Sequence, residues 1–141
     1  LLAMTMAFAM DKAIILWTIK IKFMRNFREY DFWKDSMTLA KDVYIVTKDF
    51  PRYDGISNQI QRAVVSIPSN IAEGSSRASE TDFARFLEIS LGSAYETETQ
   101  LEILYSMNYI SENTYVKLIS NIQSIEKRLS SLIIKIRKQK Q

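Results

Sequence analysis

The 141-residue chain has no cysteine and no histidine, and only three glycines and two prolines. Without cysteine there is no disulfide framework and no thiolate nucleophile; without histidine there is no imidazole base and no histidine-bearing zinc site. A carboxylate-only metal site or a Ser-Lys pair survives that filter, but neither has a motif here, and no Gly-rich phosphate loop is present. The expectation is therefore a protein that is not an enzyme and uses no cofactor and no metal. So few glycines and prolines leave little turn chemistry for a many-stranded sheet and favour a few long helices with short connections. A content of 47% apolar and 25% charged residues at this length fits one soluble globular domain with one core.

Charge is segregated rather than abundant. The formal net charge is +3, but three lysines and one aspartate precede Met24, leaving 16 basic and 15 acidic residues from Met24 onward. The stretch from Glu80 to Glu102 holds Glu80, Asp82, Glu88, Glu96, Glu98 and Glu102 against Arg85 alone, whereas Lys127 to Gln141 holds six bases and no acid.

Residues 1–23 differ from the rest. LLAMTMAFAM is apolar, and the following IILWTIKIKF is broken by Lys20 and Lys22, so the segment suits neither a membrane span nor a signal peptide. MRNFREYDFW from Met24 reads as a natural start, which makes 1–23 an N-terminal extension and 24–141 the domain. Ile19, Ile21 and Phe23 alternate as in a short strand, with nothing obvious to pair with.

From Asp31 the spacing predicts four helices. Asp31 can cap the first, over about 31–49, with Trp33, Met37, Ala40, Tyr44 and Thr47 as its apolar stripe, flanked by Leu39, Val43, Val46 and Phe50, and Pro51 as its stop. Ser57 can cap a second whose stripe is Ile60, Val64, Ile67 and Ile71, ending at a C-terminal Gly74. Within it lies SIPSNIAEG, Ser66 to Gly74. There Pro68 removes a donor and presses on the Val64 carbonyl, a cost of roughly 3 kcal/mol in a helix interior that predicts a kink or support from neighbours. Ser79 opens a third helix with the seam Phe83, Leu87, Ser90, Ala94, Thr97, Leu101 and Leu104, closed by a left-handed Asn108. The small Ser90, Gly92, Ser93 and Ala94 at its middle allow a neighbouring helix to come close. Ser111 caps the fourth, where Tyr115, Leu118, Ile122, Ile125, Leu129, Leu132 and Ile136 alternate at three and four. Short connections make sequential helices antiparallel, so the predicted fold is all-α, an up-down-up-down four-helix bundle with a proline-kinked second helix.

The succession FREYDFWKDSMTLAKDVY, QIQRAVVSIPSNIAEGSSR, FARFLEISLGSAYETETQLEI and a short NYIS turn resembles the four-helix bundle family of 23S rRNA intervening-sequence proteins, from about Met24 to the end of the fourth helix. SIPSNIAEG is its most specific element. The resemblance implies a cytoplasmic bacterial protein, not an enzyme, that forms ring-like homo-oligomers, pentamers where the family is best understood. It also implies kinship with the accessory proteins of diversity-generating retroelements, basic pentameric barrels that associate with nucleic acid and a reverse transcriptase. This chain departs from those in being nearly neutral from Met24 onward.

Two groups of candidate residues follow. Ser66, Pro68, Asn70, Glu73 and Gly74 belong to the family motif; Gln59, Ala63, Ser66, Asn70 and Glu73 form a small polar stripe that is either a subunit interface or a solvated face in which Asn70 and Glu73 accept backbone or arginine donors. Arg62, Arg77, Arg85, Lys127, Arg128, Lys135, Arg137 and Lys138 are candidate contacts for RNA or DNA, or else solvated charges paired with Glu73, Glu80 or Glu88. Glu96, Glu98 and Glu102 do not make a bundle di-metal site, which would pair glutamate with histidine. Trp33, Phe83 and Phe86 read as core rather than as a base-stacking platform. Two functions remain: a homo-oligomeric scaffold engaging RNA, DNA or a nucleic-acid enzyme, or a protein-only adaptor; no membrane partner is expected.

Overall fold

The computed structural model describes residues 11–18, 25–51 and 55–139. Among them the structure is all-α, with no strand. A 3-10 turn, Phe27–Glu29, precedes four long helices: α1 (Asp31–Thr47), α2 (Gly55–Ser75), α3 (Glu80–Ser106) and α4 (Glu112–Lys138). Residues 11–18 are helical and exposed throughout. The strand expected at Ile19, Ile21 and Phe23 lies outside the described residues.

The stripe expected for α1 is rotated by about one residue. Phe32, Ser36, Leu39, Ala40, Val43 and Thr47 face the core, while Met37 is 36% and Tyr44 46% exposed. Ser36 and Thr47 enter the interior because their hydroxyls donate to carbonyls of their own helix, Trp33 O at 2.7 Å and Val43 O at 2.8 Å, leaving no donor unpaired. Hydropathy alone favours Trp33 and Met37 over Ser36, whereas Thr47 was expected in the stripe and is buried. The cap is also displaced: Tyr30 holds the N-cap position without a side-chain bond, and Asp31 stands in the first turn, where its charge suits the helix dipole.

Helix α2 starts at Gly55, so Ser57 is a buried first-turn residue rather than the cap, and its hydroxyl has no partner among the described residues. Ile60, Val64, Ile67 and Ile71 are completely buried, as expected. Gly74 lies inside the last turn and has no positive φ. Its role is close approach: a Cβ there would stand 2.6 Å from Phe86 Cβ on α3.

The ends of α3 and α4 follow the sequence. Ser79 Oγ accepts from Asp82 N at 3.1 Å, and Ser111 Oγ from Thr114 N at 3.2 Å. Asn108 adopts φ 60°, with Tyr109 N donating to Leu104 O and Asn108 N to Tyr105 O, the paired bonds of a left-handed helix stop. All seven expected seam residues of α3 are buried. In α4 the last part of the seam passes through Ile133 rather than Leu132, which is half-buried. A straight helix drifts against a strict three-four repeat, and by this turn the drift has moved the core face.

Each long helix packs closely against two others, α1–α2, α2–α3, α3–α4 and α1–α4, and the backbones of the diagonal pairs stay apart. Opposing residues run in opposite order. Ser66 meets Ser93 where Gly74 meets Phe86; Glu88 meets Arg137 where Glu102 meets Tyr115; Asp35 meets Arg128 where Asp42 meets Lys117. Fully buried side chains from all four helices meet at the centre, among them Leu39, Ile67, Leu87, Leu104, Ile122 and Leu129. Each contributes about 1.5–3 kcal/mol of apolar burial. Arg25 ties the N-terminal approach to the α2–α3 connection: its guanidinium donates to Arg77 O at 2.8 Å, pairs with Glu80 and lies over the Phe83 ring.

Candidate functional site

Pro68 supplies no N–H to the Val64 carbonyl four residues back. Around it, side chains donate to the next three carbonyls: Ser69 Oγ to Val65 O at 2.8 Å, Asn70 Nδ2 to Ser66 O at 2.8 Å, and Ser90 Oγ of α3 to Ile67 O at 2.9 Å. Asn70 Nδ2 also donates to Ser66 Oγ, 2.9 Å away; Ser66 Oγ lies 2.9 Å from Ser93 Oγ, and Ser93 Oγ donates to Ile89 O. With Ser93 donating to Ile89, the shared proton is given by Ser66, so the chain runs Asn70 to Ser66 to Ser93 to Ile89. The polar stripe of α2 thus meets α3 of the same chain at Ser66, which Asn70 supports from within the helix. Glu73 is exposed and pairs with Arg77 at 3.0 Å. Of the five motif residues, Pro68 and Gly74 are buried and Ser66 and Asn70 half-buried.

The basic candidates divide by partner. Arg77 pairs with Glu73 and stacks over Phe86, Arg128 reaches Asp35 Oδ2 at 2.5 Å, and Arg137 reaches Glu88 Oε1 at 2.8 Å. Arg62, Arg85, Lys127, Lys135 and Lys138 are exposed and have no carboxylate partner among the described residues. Lys127, Lys135 and Lys138 share one face of α4, spaced at helical intervals. Arg62 lies far along α2, outside this group.

Glu126 is a buried carboxyl that hydropathy patterning passed over. It is 8% exposed, stands across the α3–α4 seam from Glu98, and leaves Oε1 without a partner. Burial, and then the charge of Glu98 and a hydrogen bond with it, push its carboxyl up to about 7. Glu98 also accepts Gln123 Nε2 at 2.8 Å. The signal available in the sequence was spacing, since Glu126 follows Ile122 by four and precedes Leu129 by three. One turn away, Tyr115 donates to Glu102 at 2.5 Å and stacks on Tyr105; that bond pushes the phenol up to about 12. No group of three or more histidine, cysteine, aspartate or glutamate side chains able to hold a metal occurs among the described residues.

Between α1 and α2 lies an open groove of about 530 Å³, lined chiefly by Phe27, Trp33, Met37, Val65, Pro68 and Ala72. Phe27 and Trp33 meet edge to face at 5.0 Å, and Arg28 lies over both rings. Trp33 is therefore a groove wall, while Phe83 is core and Phe86 packs under Gly74 and Arg77.

The sequence profile of the 23S rRNA-intervening sequence proteins matches residues 28–131. The chain belongs to that family. Among solved structures, a protein of unknown function from the S23 ribosomal protein family of Bacteroides thetaiotaomicron is 31% identical, with a TM-score of 0.68. That similarity covers 72% of this chain and 97% of the other. No curated protein matches. The match begins after the segment 1–23, and no described helix is long and apolar enough to cross a membrane.

Proposed function

We propose that this member of the family is a non-catalytic, homo-oligomeric helical scaffold that offers phosphate contacts to RNA or DNA from a lysine row on α4. Its four long helices form an up-down-up-down antiparallel bundle in which Pro68 kinks the second, and residues 1–23 stand outside that domain. Assembly as a cytoplasmic pentameric ring is carried by family resemblance alone. The observation that supports the nucleic-acid reading is the row of Lys127, Lys135 and Lys138, exposed on one face without carboxylate partners among the described residues. A ring repeats a modest patch, so the contributions of released counterions add across protomers.

Contacts of this kind read phosphate rather than base, so affinity falls steeply with salt and varies little with sequence. Neutralising Lys127, Lys135 and Lys138 to glutamine should weaken binding of labelled single-stranded and duplex RNA and DNA and flatten the salt slope. The bundle should be unaffected, because its seam there is Leu129, Ile133 and Ile136. The pairing of Arg77, Arg128 and Arg137 with carboxylates favours a second reading, a protein-only adaptor whose charges serve the fold. Absence of binding at low salt by the intact oligomer selects that second reading.

A further inference from the structure

Two exposed apolar surfaces of this chain carry flanking charges of opposite sign. The first is the α1–α2 groove, whose apolar floor lies open along Trp33, Met37, Val65 and Pro68. Arg28 lines it, Lys41 follows Met37 by one turn and Arg62 precedes Val65 by three residues. These three cations have no carboxylate partner among the described residues, whereas the acids Asp31, Asp35 and Asp42 of α1 are already paired with Lys34, Arg128 and Lys117. The surface is apolar with a basic rim.

The second surface is the outer face of α3, where Ile89, Tyr95 and Ile103 are exposed although the helix is otherwise well packed. Gly92 lies among them, and a Cβ there would meet nothing within 4 Å. Its neighbours Ser90, Ser93 and Ala94 face inward, so of the small residues at the middle of α3 Gly92 alone is turned outward, leaving the backbone open to an approaching helix. Among the described residues Glu96 bonds only to the amide of Gln100, and Glu102 only to the Tyr115 hydroxyl, so neither carboxylate has a cation partner there. This surface is apolar with acidic flanks; Arg85 lies at its N-terminal end.

We propose that the α1–α2 groove of one copy receives the outer face of α3 of a second copy, with Ile89 and Tyr95 over Met37 and Val65 and with Glu96 and Glu102 set against Arg28, Lys41 and Arg62. The inference rests on the homo-oligomer reading and specifies its interface. Because the two surfaces differ, the contact is heterologous, and repetition generates a ring if the rotation closes. Opposite charges on the rims orient the approach, while the apolar centre, with an aromatic anchor in Tyr95, supplies most of the affinity.

The absence of native cysteine makes the test direct. Two full-length variants, Val65→Cys and Gly92→Cys, are purified separately and treated with a short bis-maleimide, alone and after mixing. Gly92→Cys replaces an exposed helical glycine, so it should not weaken the fold. The expected result is a covalent pair in the mixture and little in either variant alone. Independently, Glu96→Lys and Arg62→Glu should each weaken self-association about tenfold in solution mass measurements, with recovery when both are combined. Gly92→Cys linking to itself shows a two-fold contact and overturns the interface. So does an intact oligomer that neither cross-links in the mixture nor responds to the charge reversals. Wild-type protein that stays monomeric at every concentration overturns the homo-oligomer reading itself, a result distinguishable from the others by mass alone.

Discussion

Helix α3 is buried against two neighbours by different means. Toward α2 the contact is built from Ser66, Gly74, Ser90 and Ser93, small enough for the backbones to approach, and the hydroxyls of Ser90 and Ser93 end on backbone carbonyls. Toward α4 the contact uses long side chains, with Tyr115 on Glu102, Arg137 on Glu88 and Glu98 beside the buried Glu126. The second seam holds a carboxyl, Glu126, whose burial favours its protonated form. Close packing therefore makes α2–α3 intolerant of added volume, and incomplete pairing makes α3–α4 sensitive to pH.

Adding one methyl group to the tight seam should have the largest effect. Alanine at an exposed helical glycine gains about 1 kcal/mol. At Gly74 the new Cβ would overlap Phe86, and neither α2 nor α3 can withdraw without opening the Ser66–Ser93 contact. Gly74→Ala should lose about 2–3 kcal/mol by overpacking, measured by urea unfolding. An unchanged midpoint would mean that the α2–α3 spacing relaxes freely and would remove the contrast between the seams.

The opposite sign is expected on the other seam. Glu126 has a folded value of about 7 against an ordinary 4.5, so between these the folded state holds a proton that the unfolded chain has released. Stability is then greatest below the unfolded value and falls as pH rises through that window. Glu126→Gln keeps the shape without the charge and should raise stability at pH 8 by about 2 kcal/mol while flattening the pH dependence from 4.5 to 7. Parallel pH profiles for the two proteins would show that the carboxyl is hydrated in solution.

The smallest effect sharpens the role of the serines. Ser90→Ala removes the cross-helix donor to Ile67 O, one residue before Pro68, and should cost about 1 kcal/mol by thermal unfolding. No loss would mean that the Ile67 carbonyl is adequately served by its own helix and that Ser90 is present for its size.

How much was legible depended on how strongly local rules acted. The caps Ser79 and Ser111 and the stop at Asn108 could be read because each is a short-range bond between neighbours in sequence. The α3 seam was equally plain, with a large or small apolar residue at every inward turn. In α1 the reading rotated, because Ser36 buries its hydroxyl on its own backbone and so looks like a surface residue in sequence, whereas Thr47 was read inward and is buried. Gly74 was recognised as necessary for the wrong reason: a glycine near a helix end suggests a left-handed stop, but this one makes room for Phe86, twelve residues further along. Among the basic candidates, sequence named the acids Glu73, Glu80 and Glu88 correctly. Yet Arg25 and Arg137 take the last two, since helix pairing brings them there.

By itself the sequence determined that the chain is helical, where most helices begin and end, and which family it belongs to; these follow from local backbone preferences, from three-four periodicity and from a motif contained in nine consecutive residues. Only the tertiary structure decided which face of α1 turns inward, that Ser90 supports the proline turn from another helix, that Glu126 is buried beside Glu98, and which of the arginines remain unpaired. Each of these depends on where a second helix lies. The free energy of burying a polar or charged group is set by partners distant in sequence, and periodicity along one helix carries no information about them.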